Sequence, residues 1–552
     1  MSAPLLIVNA RPWSGRPLDG DAVLVHDGRI VAVGRRSSLR DERSAHHVID
    51  AHGGTVTPGL VDAHIHFVPW ARARRQPDLH GCSSREAALE RVRAALAVAP
   101  VDGAAEPPGE ALPIKALPKS SIIGRGWDDA GWAARPEASA LDALAPDRPV
   151  LLHRHDFHAL WVNSAALRAA GVSKDTPDPE GGRFERGPGG EPSGLVLEHA
   201  VRAFQALEER SAPDVDEGLL DEAAAALHAE GVTGIHDFQR TQVDWERTRA
   251  LAGRRRLRVL QHVGPEQIAD ASRLGIRGGD GDAWFRTGSL KLFADGTLGS
   301  RTAALLEPYA DTPGRGMALL TSARIVEQID AAAAAGCSVA IHAIGDAAVR
   351  HGLDAIASRR EALARLALPP RIEHVQLLHP DDLGRFAALG VAASMQPQHA
   401  TTDAPVARRA WGARCALGYP WRALLATGAT LAFGSDAPVE PPCARLGLAA
   451  AVARIGADGR VFEPGQCLTL DEALLAYTAS ACALAGGGLG SGRLEPGAPA
   501  DLVVWDADLH AAGPAGLAQA RPRFTALAGE IVYDSRFDER ARREAPGQAA
   551  RA

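Results

Sequence analysis

Eight short candidate strands, most of them separated by Ala- and Leu-rich helical runs, restrict how this 552-residue chain can fold. They are 60–66 (LVDAHIH), 232–237 (VTGIHD), 257–262 (LRVLQH), 288–293 (GSLKLF), 338–342 (SVAIH), 371–376 (RIEHVQ), 391–395 (VAASM) and 430–434 (TLAFG). Helices are predicted over 216–229, 323–335, 346–357, 381–389 and 421–427. Strands alternating with helices point to an α/β architecture with a parallel sheet. Eight such units are what a closed (β/α)8 TIM barrel requires. The count holds only if 67–215 is one large insertion after the first strand. That segment has strands of its own, in "SIIGRGW" and "RPVLLHRHDF", and reads as a lobe near the barrel mouth or as an independent domain threaded in.

Two β-rich ends flank the middle. The first 57 residues hold "LLIVNA", "DAVLVHDGRIVAVG" and "HVIDAHGGTVTPG", and a DG between apolar runs signals a hairpin. "GRLEPGAPADLVVWD" and "FTALAGEIVYDS" follow near the other end. The expected organisation is a small β-sandwich built from 1–57 and 486–536, around a barrel at 58–485. Residues 537–552, polar and Ala-rich, read as a frayed or helical tail.

A net charge of −7 gives no electrostatic case for nucleic-acid binding, so the expected partner is a small molecule. No apolar stretch approaches the ~18 residues of a membrane helix, and MSAPLLIVNA lacks a basic n-region. Six cysteines without a C-x-x-C pair argue against a disulfide framework or a cysteine metal knuckle. The cytoplasm is the expected compartment.

The chemistry sits at the ends of the runs. His64 and His66 are two apart on a strand, so both imidazoles point to one face, which suits a metal ion. Lys291 ends the fourth run, His342 the fifth, His374 the sixth, and Asp436 follows the eighth in "FGSDAP". A barrel assembles its active site at the C-terminal ends of its strands. Each residue alone has an ordinary structural reading; five strands ending in ligand-type residues on one rim are a stronger signal. Lys291 is one of only four lysines among 60 Lys and Arg residues, and it stands in an apolar run where a charge is expensive. A neutral lysine amine can add CO2 to give a carbamate able to bridge two ions, which arginine, always protonated, cannot do. The other reading of Lys291 is an unmodified amine that contacts substrate. His153, His155 and His158 in "LLHRHDFHALWVNS" raise a second metal site as an alternative. Asp346, at a helix start, reads as an N-terminal cap.

The motifs "TPGLVDAHIHF", "IIGRGWDDAGW", "HALWVNSAAL", "DPEGGRFERGPGGEPSGLVLE", "LKLFADGTLGSRTA", "AIHAIGDAAV", "RIEHVQ", "FGSDAPV" and "GRLEPGAPADLVVWD" together resemble the amidohydrolase superfamily. Within it they are similar to the YtcJ-like branch, which includes N-substituted formamide deformylases, and the likeness covers nearly the whole chain. The resemblance implies a binuclear metal centre, most often zinc, although members with one ion exist. His64, His66 and Asp436 would hold the first ion, His342 and His374 the second, with carboxylated Lys291 bridging. Asp436 would also carry a proton from the bridging water to the leaving nitrogen. His158 and Asn163 would face the substrate cavity. Trp127 and Asp128 would line it or serve the structure, and Asp295 would touch substrate or shape a turn. His236 would stand behind the ligands. The implied reaction is hydrolysis of a non-peptide carbon–nitrogen bond, an amide or formamide foremost. Esterase, lactonase or deaminase chemistry and a catalytically silent metal-binding regulator are the alternatives, and a homodimer is the default assembly. Two departures from the branch, "DGAAEPPGEALPIKALPKS" and "PVEPPCARLGLAA", concern the cavity rim and so the choice of substrate.

Overall fold

The computed structural model describes residues 4–39, 47–98, 121–129, 131–155, 159–179, 182–211, 215–238 and 241–537. The expected tail beyond 537, the unusual stretch at 102–120 and His158 lie outside the described residues. The chain divides into two compact units, Met1–Val68 with Leu220–Ala552, and Pro69–Leu219.

The first unit holds an eight-stranded parallel sheet in simple sequential order. Its strands are β1 (Leu60–Ile65), β2 (Val232–Asp237), β3 (Arg258–Val263), β4 (Phe285–Phe293), β5 (Val339–Ala343), β6 (Arg371–His374), β7 (Ala392–Met395) and β8 (Leu431–Phe433). All but β4 are buried along their whole length, polar residues such as Asp62, Gln261 and Glu373 included, so they do not show the in–out alternation of a half-exposed strand. The edges β1 and β8 meet beyond the end of β8. Asp436 N donates to His64 O at 2.6 Å and His66 N to Ala437 O at 2.9 Å. This closes a (β/α)8 barrel. Gly434 permits the approach, because a Cβ there would lie 2.3 Å from His64 N and 2.7 Å from Asp62 Oδ1. Some helices between the strands start on side-chain caps, such as Thr321 Oγ1 accepting from Arg324 N ahead of Ser322–Ala334. Two boundaries differ from expectation. β4 begins at Phe285, three residues early, because Phe285 pairs with Val259. β6 stops at His374, because His374 and Val375 turn to φ +77° and +43° and break the ladder.

The same unit carries two smaller sheets. One orders Arg29–Gly34, Ala22–His26, Leu5–Val8 and His47–Asp50; the other orders Arg11–Pro12, Thr55–Pro58, Leu502–Trp505, Pro522–Leu527 and Glu530–Asp534. They share one apolar core that includes Ile7, Val23, Val56, Leu502 and Phe524, so the two ends of the chain build a sandwich together.

The second unit is built on a five-stranded sheet ordered Gly182–Arg186, Pro192–Glu198, Ala159–Val162, Val150–Arg154 and Ile122–Trp127. Trp127, Trp132 and Trp161 form an aromatic cluster on one of its faces, with centroids 6.1–6.4 Å apart.

Candidate metal centre

The carboxyl rim of the barrel gathers six side chains. Pleating sends His64 and His66 to the same side of β1. Register aligns Phe293 of β4 with His342 of β5, and Ala343 with His374 of β6. The hydrogen bonds that close the barrel bring Asp436 to β1, where its Oδ1 lies 3.4 Å from His64 Nε2 and 3.5 Å from His66 Nε2. Ligand atoms of His64, His374 and Asp436 fall within 4.8 Å of one another. The His374 ring lies 4.9 Å from that of His64 and 4.4 Å from that of His342. His374 and Asp436 both hold left-handed backbone (φ +77° and +58°), which costs a non-glycine residue free energy and often marks a functional site.

Each imidazole is fixed from behind. His64 Nδ1 meets Glu373 Oε2 at 2.7 Å, His66 Nδ1 meets Phe238 O at 2.7 Å, and His374 Nδ1 meets Gln396 Oε1 at 2.8 Å. His342 is held by Nε2, 3.1 Å from Gly296 O. The nitrogen facing an acceptor carries the proton, so the other presents a lone pair: Nε2 in His64, His66 and His374, Nδ1 in His342. His64 Nε2 is buried and makes no hydrogen bond among the described residues. A buried acceptor left this way is costly, and a metal ion between it and Asp436 removes the cost. The donor set fits such an ion.

Lys291 is buried in β4, its Nζ 4.5 Å from the centroid of Phe238 and 5.0 Å from that of Phe293. Burial, and then the Lys291 charge, lower His64 to a pKa of about 4 and His342 to about 3. His374 is lowered as well, by burial and by His342. These three rings are therefore neutral, the form that binds metal, at ordinary pH. Burial alone would raise Asp436, but the imidazoles around it, His64 first, hold it well below the usual carboxylate range.

Behind the rim, Glu373 is buried with Arg371, whose Nε lies 2.5 Å from Glu373 Oε1. Arg371 also donates to Ala63 O and Ser394 Oγ and faces His236 Nδ1 at 3.0 Å. Asp62 ties β1 to the turn before Asp436, accepting from Ser435 N at 2.9 Å, Ser435 Oγ at 2.6 Å and His64 N at 3.1 Å. Burial pushes its pKa up to about 7. Sequence reading missed both carboxylates. Asp62 carried a usable signal, two residues before His64 on the same strand face. Phe238 gave none, yet it stacks between His64 and His262, with centroids 4.1 Å away on each side.

The expected substrate residues are placed differently. Asn163, expected to face substrate, is instead buried with its amide fully engaged. Oδ1 accepts from Val150 N and Ala166 N, and Nδ2 donates to Ala145 O and Arg148 O. It caps the helix Ser164–Ala169. Trp127 is also buried, its indole N–H given to Leu152 O at 2.6 Å, so the structural alternative describes it. Asp128 is half-exposed and pairs with Arg154 at 3.2 Å. Asp295 takes the turn-shaping alternative, with its carboxylate accepting from Ala304 N, Ile344 N and Gly345 N at 2.8–3.0 Å. Asp346 accepts from Leu306 N across the fold at 2.9 Å instead of capping its own helix, whose N-cap is Gly345. His153 is taken by Glu208 at 2.6 Å.

A (β/α)8 barrel whose carboxyl rim gathers imidazoles, a carboxylate and a lysine has the donor set of a metal-dependent enzyme. Residues 47–533 match the amidohydrolase family, and the chain belongs to it. It is 32% identical to the YtcJ protein of Bacillus subtilis, over 93% of this chain and 96% of that one. It is 30% identical to the N-substituted formamide deformylase of Arthrobacter pascens, over 91% and 93% of the two chains. It is 32% identical to the protein LONG AFTER FAR-RED 3 of Arabidopsis thaliana, over 91% and 88%. The crystal structure of an uncharacterised metal-dependent hydrolase from Pyrococcus furiosus, 26% identical, superposes with a TM-score of 0.69 over 91% of this chain and 98% of that one. Among the described residues, no helix is long and apolar enough to cross a membrane.

Proposed function

We propose that this protein hydrolyses a non-peptide carbon–nitrogen bond, an amide or N-substituted formamide, at a centre of divalent ions, zinc foremost. The observation that carries the proposal is His64 Nε2, buried without a hydrogen bond among the described residues and grouped with atoms of His374 and Asp436 able to bind a metal. The similarity to a formamide deformylase supports the choice of bond.

His64, His66 and Asp436 would hold one ion, and His342 and His374 a second. Lys291, as the carbamate a neutral lysine amine can form with CO2, would complete the donor set for both ions. Ions held there supply Lewis acidity, which polarises a carbonyl and brings a water's pKa near neutral. Asp436, ionised and set between His64 and His66, accepts the proton of the attacking water. It then delivers that proton to the departing nitrogen. The delivery matters because an amine leaves poorly as an anion, so an amidase needs a proton carrier where an esterase can do without one. Glu373 holds His64 in the tautomer that exposes Nε2.

The test is a panel of N-formyl and N-acyl amines with the zinc-loaded protein. Turnover of a panel member, abolished in Asp436→Asn at unchanged fold, supports the reading. Turnover of esters or lactones alone, or full activity in Asp436→Asn, refutes it.

A further inference from the structure

Beside His374, three buried polar atoms have no hydrogen-bond partner among the described residues: His399 Nε2, Gln376 Oε1 and Gln396 Nε2. Their side chains belong to residues only 6%, 3% and 1% exposed. Gln376 follows β6, while Gln396 and His399 lie where β7 passes into the helix Pro397–Thr402. The His399 ring lies nearly parallel to that of His374, tilted 17° with centroids 6.3 Å apart. Gln396 already holds His374 through Oε1, which leaves its amide N–H groups over. Gln376 Nε2 faces His399 Nδ1 at 3.5 Å. That amide donor makes Nδ1 the acceptor and leaves the proton on Nε2. Buried polar atoms left unmet ask for something that binds to complete them. The mechanism above uses none of them.

We propose that His399 Nε2–H donates to the carbonyl oxygen of the substrate, with Gln396 Nε2 beside it and Gln376 as the positioning residue that sets the imidazole tautomer. The inference rests on the hydrolase reading and deepens it. As water adds to the carbonyl carbon, the C=O π pair moves onto oxygen and the His399 N–H stabilises the charge. The pair returns to re-form C=O as the C–N bond breaks and the protonated nitrogen departs. His399 transfers no proton and stays neutral throughout.

The test compares zinc-loaded wild type, His399→Ala and His399→Gln for metal content, turnover of the amine panel and calorimetric binding of phenylphosphonate, an anionic tetrahedral mimic. All three should hold the same metal. In His399→Ala, kcat should fall about 100-fold or more with KM within about threefold, and phosphonate affinity should fall at least about tenfold. His399→Gln, whose amide N–H reaches a similar point, should recover part of both losses. The pH profile of kcat/KM should keep its shape. A folded, metal-loaded His399→Ala with wild-type kcat and phosphonate affinity overturns the inference, as does loss of one limb of that profile. If wild type turns over no C–N substrate while His399→Ala still loses phosphonate, the donor stands and the C–N reading falls. If wild type turns over the panel and His399→Ala is unchanged, the donor falls and that reading stands. Should His399→Ala not fold, His399→Phe, which keeps the ring's volume, takes its place in every comparison.

Discussion

Replacing Glu373 by glutamine removes one charge and almost no volume at a residue with no exposed surface. In the native site, Oε2 accepts from His64 Nδ1 at 2.7 Å and Oε1 sits 2.5 Å from Arg371 Nε. Burial would raise the Glu373 pKa, but Arg371 and then His64 outweigh it and hold the group ionised. The other partners of Arg371, namely Ala63 O, Ser394 Oγ and His236 Nδ1, carry no negative charge. Glu373→Gln therefore strands a buried guanidinium, a change that costs about 3–5 kcal/mol. The same pair, replaced whole by apolar groups, costs far less, so Glu373→Gln/Arg371→Met should recover much of the loss. His64 also loses its charged support, and zinc affinity should drop about 10–100-fold. Denaturant unfolding of the metal-free protein reads the first effect; zinc competition with a chelating dye reads the second. A loss below about 1 kcal/mol together with wild-type zinc affinity would refute the reasoning.

Three further outcomes are expected. His64, with its pKa lowered from 6.5 to about 4, stays unprotonated in the folded metal-free protein while the unfolded chain takes up a proton below pH 6.5. Stability should thus fall as pH drops from 6.5 towards 4, by up to about 3 kcal/mol from this group, and His64→Ala should flatten that slope. An unchanged slope contradicts it. Gly434→Ala should destabilise the protein and lower zinc affinity, because its Cβ would lie 2.3 Å from His64 N, a backbone atom of β1; a wild-type melting temperature with wild-type affinity would count against the closure described. Lys291→Arg keeps a long side chain but forms no carbamate, so zinc content should fall from about two ions to about one or fewer, and turnover with it; two retained ions would show that Lys291 is not the bridge.

The barrel was legible because strand-length runs such as "SVAIH" and "TLAFG" alternate with helical ones along the middle of the chain. The imidazoles stood out because each interrupts such a run at its carboxyl end. What could not be read was how polar groups are satisfied. Trp127 and Asn163 stand in motifs that suggest a cavity wall, yet Leu152 O and four backbone groups around Asn163 consume their hydrogen bonds. Asp295 spends its carboxylate on three backbone N–H groups supplied by two loops. Conversely, His399 in "SMQPQHA" looks like an ordinary loop histidine until the fold sets its ring alongside His374. The end of β6 was equally hidden, since no composition signal marks a histidine that will turn to φ +77°.

The metal content of the purified protein, prepared with Zn²⁺ and bicarbonate and measured by elemental analysis, bears most directly on the rim as a metal centre. Wild type should carry close to about two ions per chain, and His64→Ala/His66→Ala should lose them while keeping the fold. The same zinc content in wild type and the double variant would contradict the account.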